Sequence, residues 1–159
     1  MPTLVLGVGN PLMSDDGVGI RIMEALAAQH PALDGVEYLD AGTLSLLLLP
    51  RFEHCAALLV LDAAQISGAA GDLRVLLDHE MDVFFRNARG SVHEVGIRDL
   101  LDAARLTGSL PPRRGFVGVQ PGHVALGPSL SPAVKAAVAT AAAHARGILE
   151  KWQSEAATG

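Results

Sequence analysis

The chain opens on an apolar run, Thr3–Gly9 (TLVLGVG), closed by glycine, the pattern of a strand buried on both faces. Beyond a polar loop, Val18, Ile22, Met23 and Leu26 recur at helical spacing. Ser14, Asp15 and Asp16 stand where a helix cap belongs, and Pro31 follows the helix end. Val36–Asp40 (VEYLD) predicts a second strand, and Leu44–Leu49 a short helix stopped by Pro50. Ala56–Asp62 (AALLVLD) carries the strongest strand signal of the sequence. Leu73–Asp78 predicts a fourth strand, Glu94–Leu106 a helix, Gly115–Val119 a fifth strand, and Pro132–Trp152 an Ala-rich closing helix. The stretch from Leu106 to Gly115, with Pro111, Pro112, Arg113 and Arg114, reads as one exposed loop. The small polar tail after Trp152 is expected to fray.

Strand and helix alternate almost throughout. That order predicts an α/β fold: a single three-layer domain over residues 1–159, with a mostly parallel five-stranded sheet and helices on both faces. No internal repeat and no long linker divides the chain. In such folds ligands sit beyond the carboxyl ends of the strands, so the residues that end each strand carry the functional information. The first strand leads through Asn10 to Asp15 and Asp16, the second ends at Asp40, and the third ends at Asp62. The segment after the fourth carries His93. Acidic groups and one imidazole are thereby expected on one rim.

Charge narrows the partners. Lys and Arg total 12 against 17 Asp and Glu, a net −5, and no basic cluster offers phosphate contacts, which argues against nucleic acid. The longest uninterrupted apolar runs, Leu46–Leu49 and Cys55–Leu61, fall far short of the ~18 residues that span a bilayer, so no membrane insertion is expected. The Met-Pro-Thr start has no basic segment ahead of its apolar run, so a signal peptide is not expected and the cytoplasm is the expected compartment. Cys55 is alone, which rules out an intrachain disulfide and a cysteine-based zinc site.

Familiar catalytic signatures fail on inspection. Gly7-Val8-Gly9-Asn10 suggests a dinucleotide loop, with Asp40 available for a ribose, but Leu12 stands where the third glycine belongs. No Walker lysine is present. Neither His79-Glu80 nor His93-Glu94 is followed by a second histidine at zincin spacing, and Gly127–Ser131 misses the nucleophile elbow at its last residue. Cys55 reads as a small core residue. Taken singly, Asp15 and Asp16 could be helix caps, Asp62 could bind the following loop, and His93 could be a surface residue.

Taken together, these residues fall within a longer pattern. Leu6–Gly19 (LGVGNPLMSDDGVG), Asp40-Ala-Gly-Thr43, Leu61-Asp62-Ala63, Ser91-Val-His-Glu94, Gly118-Val-Gln-Pro121 and Leu130-Ser-Pro132 closely resemble the motifs of the [NiFe]-hydrogenase maturation endopeptidases. They occur in family order over nearly the whole chain. The resemblance implies an endopeptidase that clips a short C-terminal extension from a [NiFe]-hydrogenase large-subunit precursor, beyond a Cys-rich motif and only after nickel insertion. It implies metal binding and catalysis by Asp16, Asp62 and His93, with Asn10, Asp15, Asp40, Gly42 and Thr43 in support. The nickel would be the precursor's own, and the enzyme is expected to be a monomer. Two departures stand out. Relatives often carry Glu at the first acidic position; Asp16 is shorter, which leaves Asp15 as an alternative ligand. Ala41 replaces a common glycine, which predicts a stiffer loop.

The donor types suit this chemistry. Carboxylates and a neutral imidazole accept Ni²⁺, but they accept Zn²⁺ as well. Three protein ligands leave positions open for water and substrate, and an ion so held can polarise a carbonyl or acidify water. A free-standing zinc metallopeptidase and a nickel-dependent chaperone that binds the precursor without cutting it remain alternatives, with a nucleotide-binding module more distant.

Overall fold

A computed structural model describes residues 1–42 and 46–159. The sheet grows outward from β1 (Thr3–Val8), which pairs in parallel with β2 (Val36–Gly42) on one side and β3 (Ala57–Ala63) on the other. β5 (Arg113–Val119) continues the parallel run beside β3, and β4 (Leu73–Leu77) closes the edge antiparallel to β5. The order is β2-β1-β3-β5-β4. The expected fold class holds, with one antiparallel edge strand.

Continuous apolar strands follow from cover on both faces. Every residue of β3 is buried. Its alternating side chains serve two cores: Leu59 and Leu61 face α1 (Val18–Ala27) and α5 (Pro132–Thr158), while Leu58 and Val60 face the opposite layer. That layer contains α2 (Leu49–Phe52), α3 (His79–Arg86) and α4 (Val92–Thr107). Each leucine so buried contributes ~1.5–3 kcal/mol of transfer free energy. In α4, Ile97, Leu100, Leu101 and Ala104 form the buried stripe, and Gly108 at φ +72° ends the helix in the left-handed conformation.

Several local expectations are corrected. Ser14, Asp15 and Asp16 do not cap α1; they form a 3-10 turn of their own over Ser14–Gly17, and Gly17 precedes α1 with no side-chain cap. Pro50 does not stop a helix. It sits in the first turn of α2, where its missing N–H costs nothing, after a 3-10 turn over Leu46–Leu48. The remainder of the predicted Leu44–Leu49 helix, like Thr43, lies outside the described residues. Arg113 and Arg114 belong to β5 rather than to a loop, and Arg114 lies 2.7 Å from Asp82 in a largely buried ion pair. Helix α5 continues past Trp152 to Thr158.

Helix α3 has little local signal in the sequence. Met81 and Phe85 are buried four positions apart, but Asp82, Val83 and Phe84 between them blur the period in so short a segment. This helix matters to the site. Because β4 runs antiparallel, its end at Leu77 lies opposite Gly115, at the far rim from Asp62. α3 returns the chain so that α4 starts at the carboxyl rim and carries His93 there.

Candidate active site

The first site segment depends on Gly9, whose φ of +121° turns the chain as it leaves β1. A side chain there would collide with the backbone carbonyl of Asp16, so glycine lets the loop fold back on itself. Asp16 is held from within this loop: its Oδ2 accepts the Asn10 backbone N–H at 2.9 Å. Asp62 stands near the end of β3 with no exposure at all. His93 lies in the first turn of α4, behind Ser91, whose Oγ accepts the Glu94 N–H at 3.4 Å as the helix cap.

His93 joins the two carboxylates. Its Nδ1 lies 3.3 Å from Asp62 Oδ1, and its Nε2 lies 3.5 Å from Asp16 Oδ2. The remaining Asp62 oxygen, Oδ2, is buried without a hydrogen-bond partner among the described residues. Burial pushes the Asp62 carboxyl up to about 6; the His93 hydrogen bond and charge and the Ala63 N–H oppose that rise, and the charge of Asp16 adds to it. The His93 imidazole is also raised, chiefly by its hydrogen bond to Asp62, against the effect of its own burial. Both groups thus keep a proton to higher pH than they would in water, Asp62 because of its burial and His93 because of Asp62.

Asp15 has a different task. Burial pushes its pKa up, but hydrogen bonds from Ser131, His123 and Gly122 together outweigh it and hold the carboxyl below its ordinary value. Oδ1 accepts the Ser131 N–H at 2.7 Å. Oδ2 accepts the N–H groups of Gly122 and His123 at 2.9 and 2.8 Å and the Ser131 hydroxyl at 2.7 Å. These contacts fill the carboxylate, and Asp15 anchors the 122–131 loop.

Asp40 also stays apart from the cluster. It is exposed, and its Oδ1 accepts the Gly42 N–H at 2.9 Å. Gly42 in turn accepts the Gly9 N–H at 3.0 Å, which ties the end of β2 to the site loop. Asn10 bonds locally, its Oδ1 accepting the Leu12 N–H at 3.0 Å.

Two buried polar residues received no role from the sequence alone. Glu94 Oε1 accepts the Gln65 N–H at 2.9 Å, and Gln120 Oε1 accepts the Ile66 N–H at 2.8 Å. Gln120 also donates to the Gln65 side chain at 2.8 Å. Together they fix the segment that leaves β3 just beyond Asp62. The available signal was a polar residue beside a site histidine and another at the end of a buried strand.

Asp16 and His93 open onto a cleft of about 350 Å³, also lined by Asn10, Met13, Val92 and Val124. Its surroundings are apolar and exposed: Leu12 is 62%, Val92 85% and Val124 54% accessible. Such a collar suits a macromolecular partner. Among the described residues no three His, Cys, Asp or Glu side chains already form a metal cage, because His93 directs one nitrogen at each carboxylate.

The family model described as hydrogenase maturation protease matches residues 20–148. The chain belongs to that family. It is 38% identical over 139 residues to the hydrogenase 2 maturation protease of Escherichia coli, covering 87% of this chain and 84% of the relative. It is 37% identical over 157 residues to the hydrogenase expression/formation protein HupD of Rhodobacter capsulatus, covering 98% of this chain and 75% of the relative. The solved structure of the hydrogenase maturating endopeptidase HybD from Escherichia coli superposes with a TM-score of 0.86 at 36% identity, covering 95% of this chain and 93% of that one. The protein is accordingly a peptidase of hydrogenase maturation, in accord with C-terminal processing of the large subunit. The family acts on nickel-containing hydrogenase large-subunit precursors. No helix among the described residues is long and apolar enough to cross a membrane.

Proposed function

We propose that Asp16, Asp62 and His93 receive the nickel carried by a [NiFe]-hydrogenase large-subunit precursor, and that the chain removes the precursor's C-terminal extension only once that nickel is in place. The observation that carries this reading is the buried, unpartnered Oδ2 of Asp62 beside an imidazole that reaches Asp16. A carboxylate oxygen buried without a donor is costly, and a cation is the partner that would relieve it. The 3.5 Å between His93 Nε2 and Asp16 Oδ2 is close to the spacing of two donors that share one ion at about 2.1 Å each, and Asp62, held on the Nδ1 side, would join them once the imidazole turns.

A divalent ion at this place supplies Lewis acidity for peptide hydrolysis. The protein's own part is to hold a proton until the ion arrives. Ligation needs ionised carboxylates and a neutral imidazole, so Asp62 and His93 would release a proton to solvent on holding the precursor's nickel. In the hydrolysis itself, water oxygen bonds to the scissile carbonyl carbon, the C–N bond breaks, and the released amine takes up a proton. Asn10 and Gly42 steady the loop that presents Asp16, and Asp15 fixes the opposite wall. Asp40, at the neighbouring rim, is a support for the incoming precursor in this reading, as is Thr43, which lies outside the described residues. In this reading the enzyme acts as a monomer in the cytoplasm.

The test is mass analysis of the C-terminus of nickel-loaded precursor before and after incubation. Wild type shortens it, whereas folded Asp16→Asn, Asp62→Asn and His93→Ala each lose most or all processing. Full processing by folded Asp62→Asn removes the metal role assigned to that residue.

A further inference from the structure

A second concavity, about 700 Å³, lies between β4, α3 and the segment that follows β3. It begins beside the active site, because Gln65 and Glu94 line it, in the segments that carry Asp62 and His93. Its apolar surface includes Leu76, Val83 and Phe84, and Arg74 and Arg89 stand exposed around it. Many of the chain's guanidinium groups are engaged: Arg51 with Glu37, Arg105 with Asp102, Arg114 with Asp82 and Arg146 with Glu150. The side chains of Arg74 and Arg89 have no hydrogen bond or ion pair with any described residue. Two carboxylates also line the groove: Glu94 is buried and accepts the Gln65 N–H at 2.9 Å, and Glu80 accepts the Leu77 N–H at 3.4 Å.

Strand register fixes where this groove lies relative to the chemistry. Asp62 is opposite Gly118, and Gly118 is opposite Arg74. Arg74 therefore stands in the same cross-sheet row as Asp62, two strand spacings or about 10 Å away. Both are on the sheet face covered by α3 and α4, as their neighbours Val60 and Leu76 show. Three or four extended residues span that distance.

We propose that this groove holds the C-terminal extension of the precursor during cleavage, with Arg74 and Arg89 binding the terminal α-carboxylate. The inference rests on the reading that the cut segment is C-terminal. Such a segment ends in an anion whatever its sequence, and two unpaired guanidinium groups beside an apolar trough complement an apolar chain with a carboxylate at its end. The arginines position the substrate and take no part in bond breaking.

The test uses a synthetic peptide copying the precursor's C-terminal segment, prepared as the free acid and as the C-terminal amide. Fluorescence anisotropy compares binding to wild type and to the Arg74→Gln/Arg89→Gln double variant. Wild type binds the acid about tenfold more tightly than the amide, and the double variant binds both alike. With nickel-loaded precursor the double variant shows KM raised by a similar factor and kcat unchanged, whereas Arg86→Gln, at the end of α3 and outside the groove, changes neither. Equal binding of acid and amide to wild type overturns the proposal, as does an acid preference that survives in the double variant. If the C-terminal-cutting reading itself is wrong, wild type leaves the precursor intact. If only the groove is misassigned, wild type and the double variant cut with the same KM.

Discussion

The Nδ1 of His93 lies 3.3 Å from Oδ1 of Asp62, and the other oxygen of that carboxylate is buried with no partner among the described residues. One side of Asp62 is thus satisfied by the imidazole, while the other is open to a proton, which burial favours up to about pH 6.

Stability of the metal-free protein should therefore fall as pH rises. Asp62 is raised from 3.8 to about 6 in the fold, so its contribution is complete below 3.8 and lost as pH rises through about 6. His93 is raised above 6.5 and has the same sign, its contribution disappearing as pH rises beyond that value. Asp15 is lowered, so its contribution is present above 3.8 and stays constant over this window. Urea unfolding of metal-free protein should show a loss of roughly 1–3 kcal/mol between about pH 5 and about pH 8. Asp62→Asn should flatten most of that slope; an equally steep slope in the variant would contradict the assignment.

The adjacent acids Asp15 and Asp16 should separate cleanly on substitution. Asp15→Ala strands four donors in a buried setting and should cost ~2–4 kcal/mol. Asp16→Ala loses one hydrogen bond at a partly exposed position and should cost about 1 kcal/mol or less, yet abolish processing. Chemical denaturation and precursor cleavage on the same two preparations decide the matter.

Much of this was legible in the sequence, for physical reasons that differ by element. β1 and β3 announced themselves because strands covered on both faces are apolar at every position. Asp62 and His93 could be placed on one rim because ligands of parallel sheets gather at strand ends. The division of labour between Asp15 and Asp16 was not legible, since it depends on Gly122, His123 and Ser131, more than a hundred residues away. The antiparallel turn of β4 and the existence of α3 were likewise set by tertiary packing, Phe84 and Phe85 against Phe116, rather than by local period. The Glu94 and Gln120 contacts escaped because each is to a backbone N–H that any residue supplies.

Two glycines give opposite expectations. A methyl group at Gly19 would strike the carbonyls of Leu61 and Val8, so Gly19→Ala must push α1 away from the strands that carry the site. A cost of at least ~2 kcal/mol and reduced processing are expected. Gly147, within α5, has nothing within 4 Å of an added Cβ, and Gly147→Ala should stabilise by about 0.5–1 kcal/mol with processing unchanged. Thermal unfolding of the two variants checks both signs.

A cysteine or serine mechanism should fail. Burial pushes the Cys55 thiol up to about 11, with the charge of Glu37 adding and that of Arg51 opposing, so little thiolate exists at neutral pH. Cys55→Ser and Ser129→Ala should process precursor as wild type does, and thiol- and serine-directed reagents should not inhibit. Loss of cleavage in a folded Cys55→Ser protein would reverse that conclusion.

Nickel dependence is tested most directly with two precursors side by side, one loaded with nickel and one free of it, while the metal content of the enzyme is measured in parallel. A site of two carboxylates and one imidazole, without thiolates, should hold little metal by itself, and the precursor's cysteines would complete the bridge. Enzyme with substoichiometric metal should therefore cut the nickel-loaded precursor with no metal added, and leave the nickel-free precursor whole even after pre-incubation with zinc. Rapid cleavage of the nickel-free precursor by zinc-treated enzyme would contradict the account and identify an ordinary metallopeptidase.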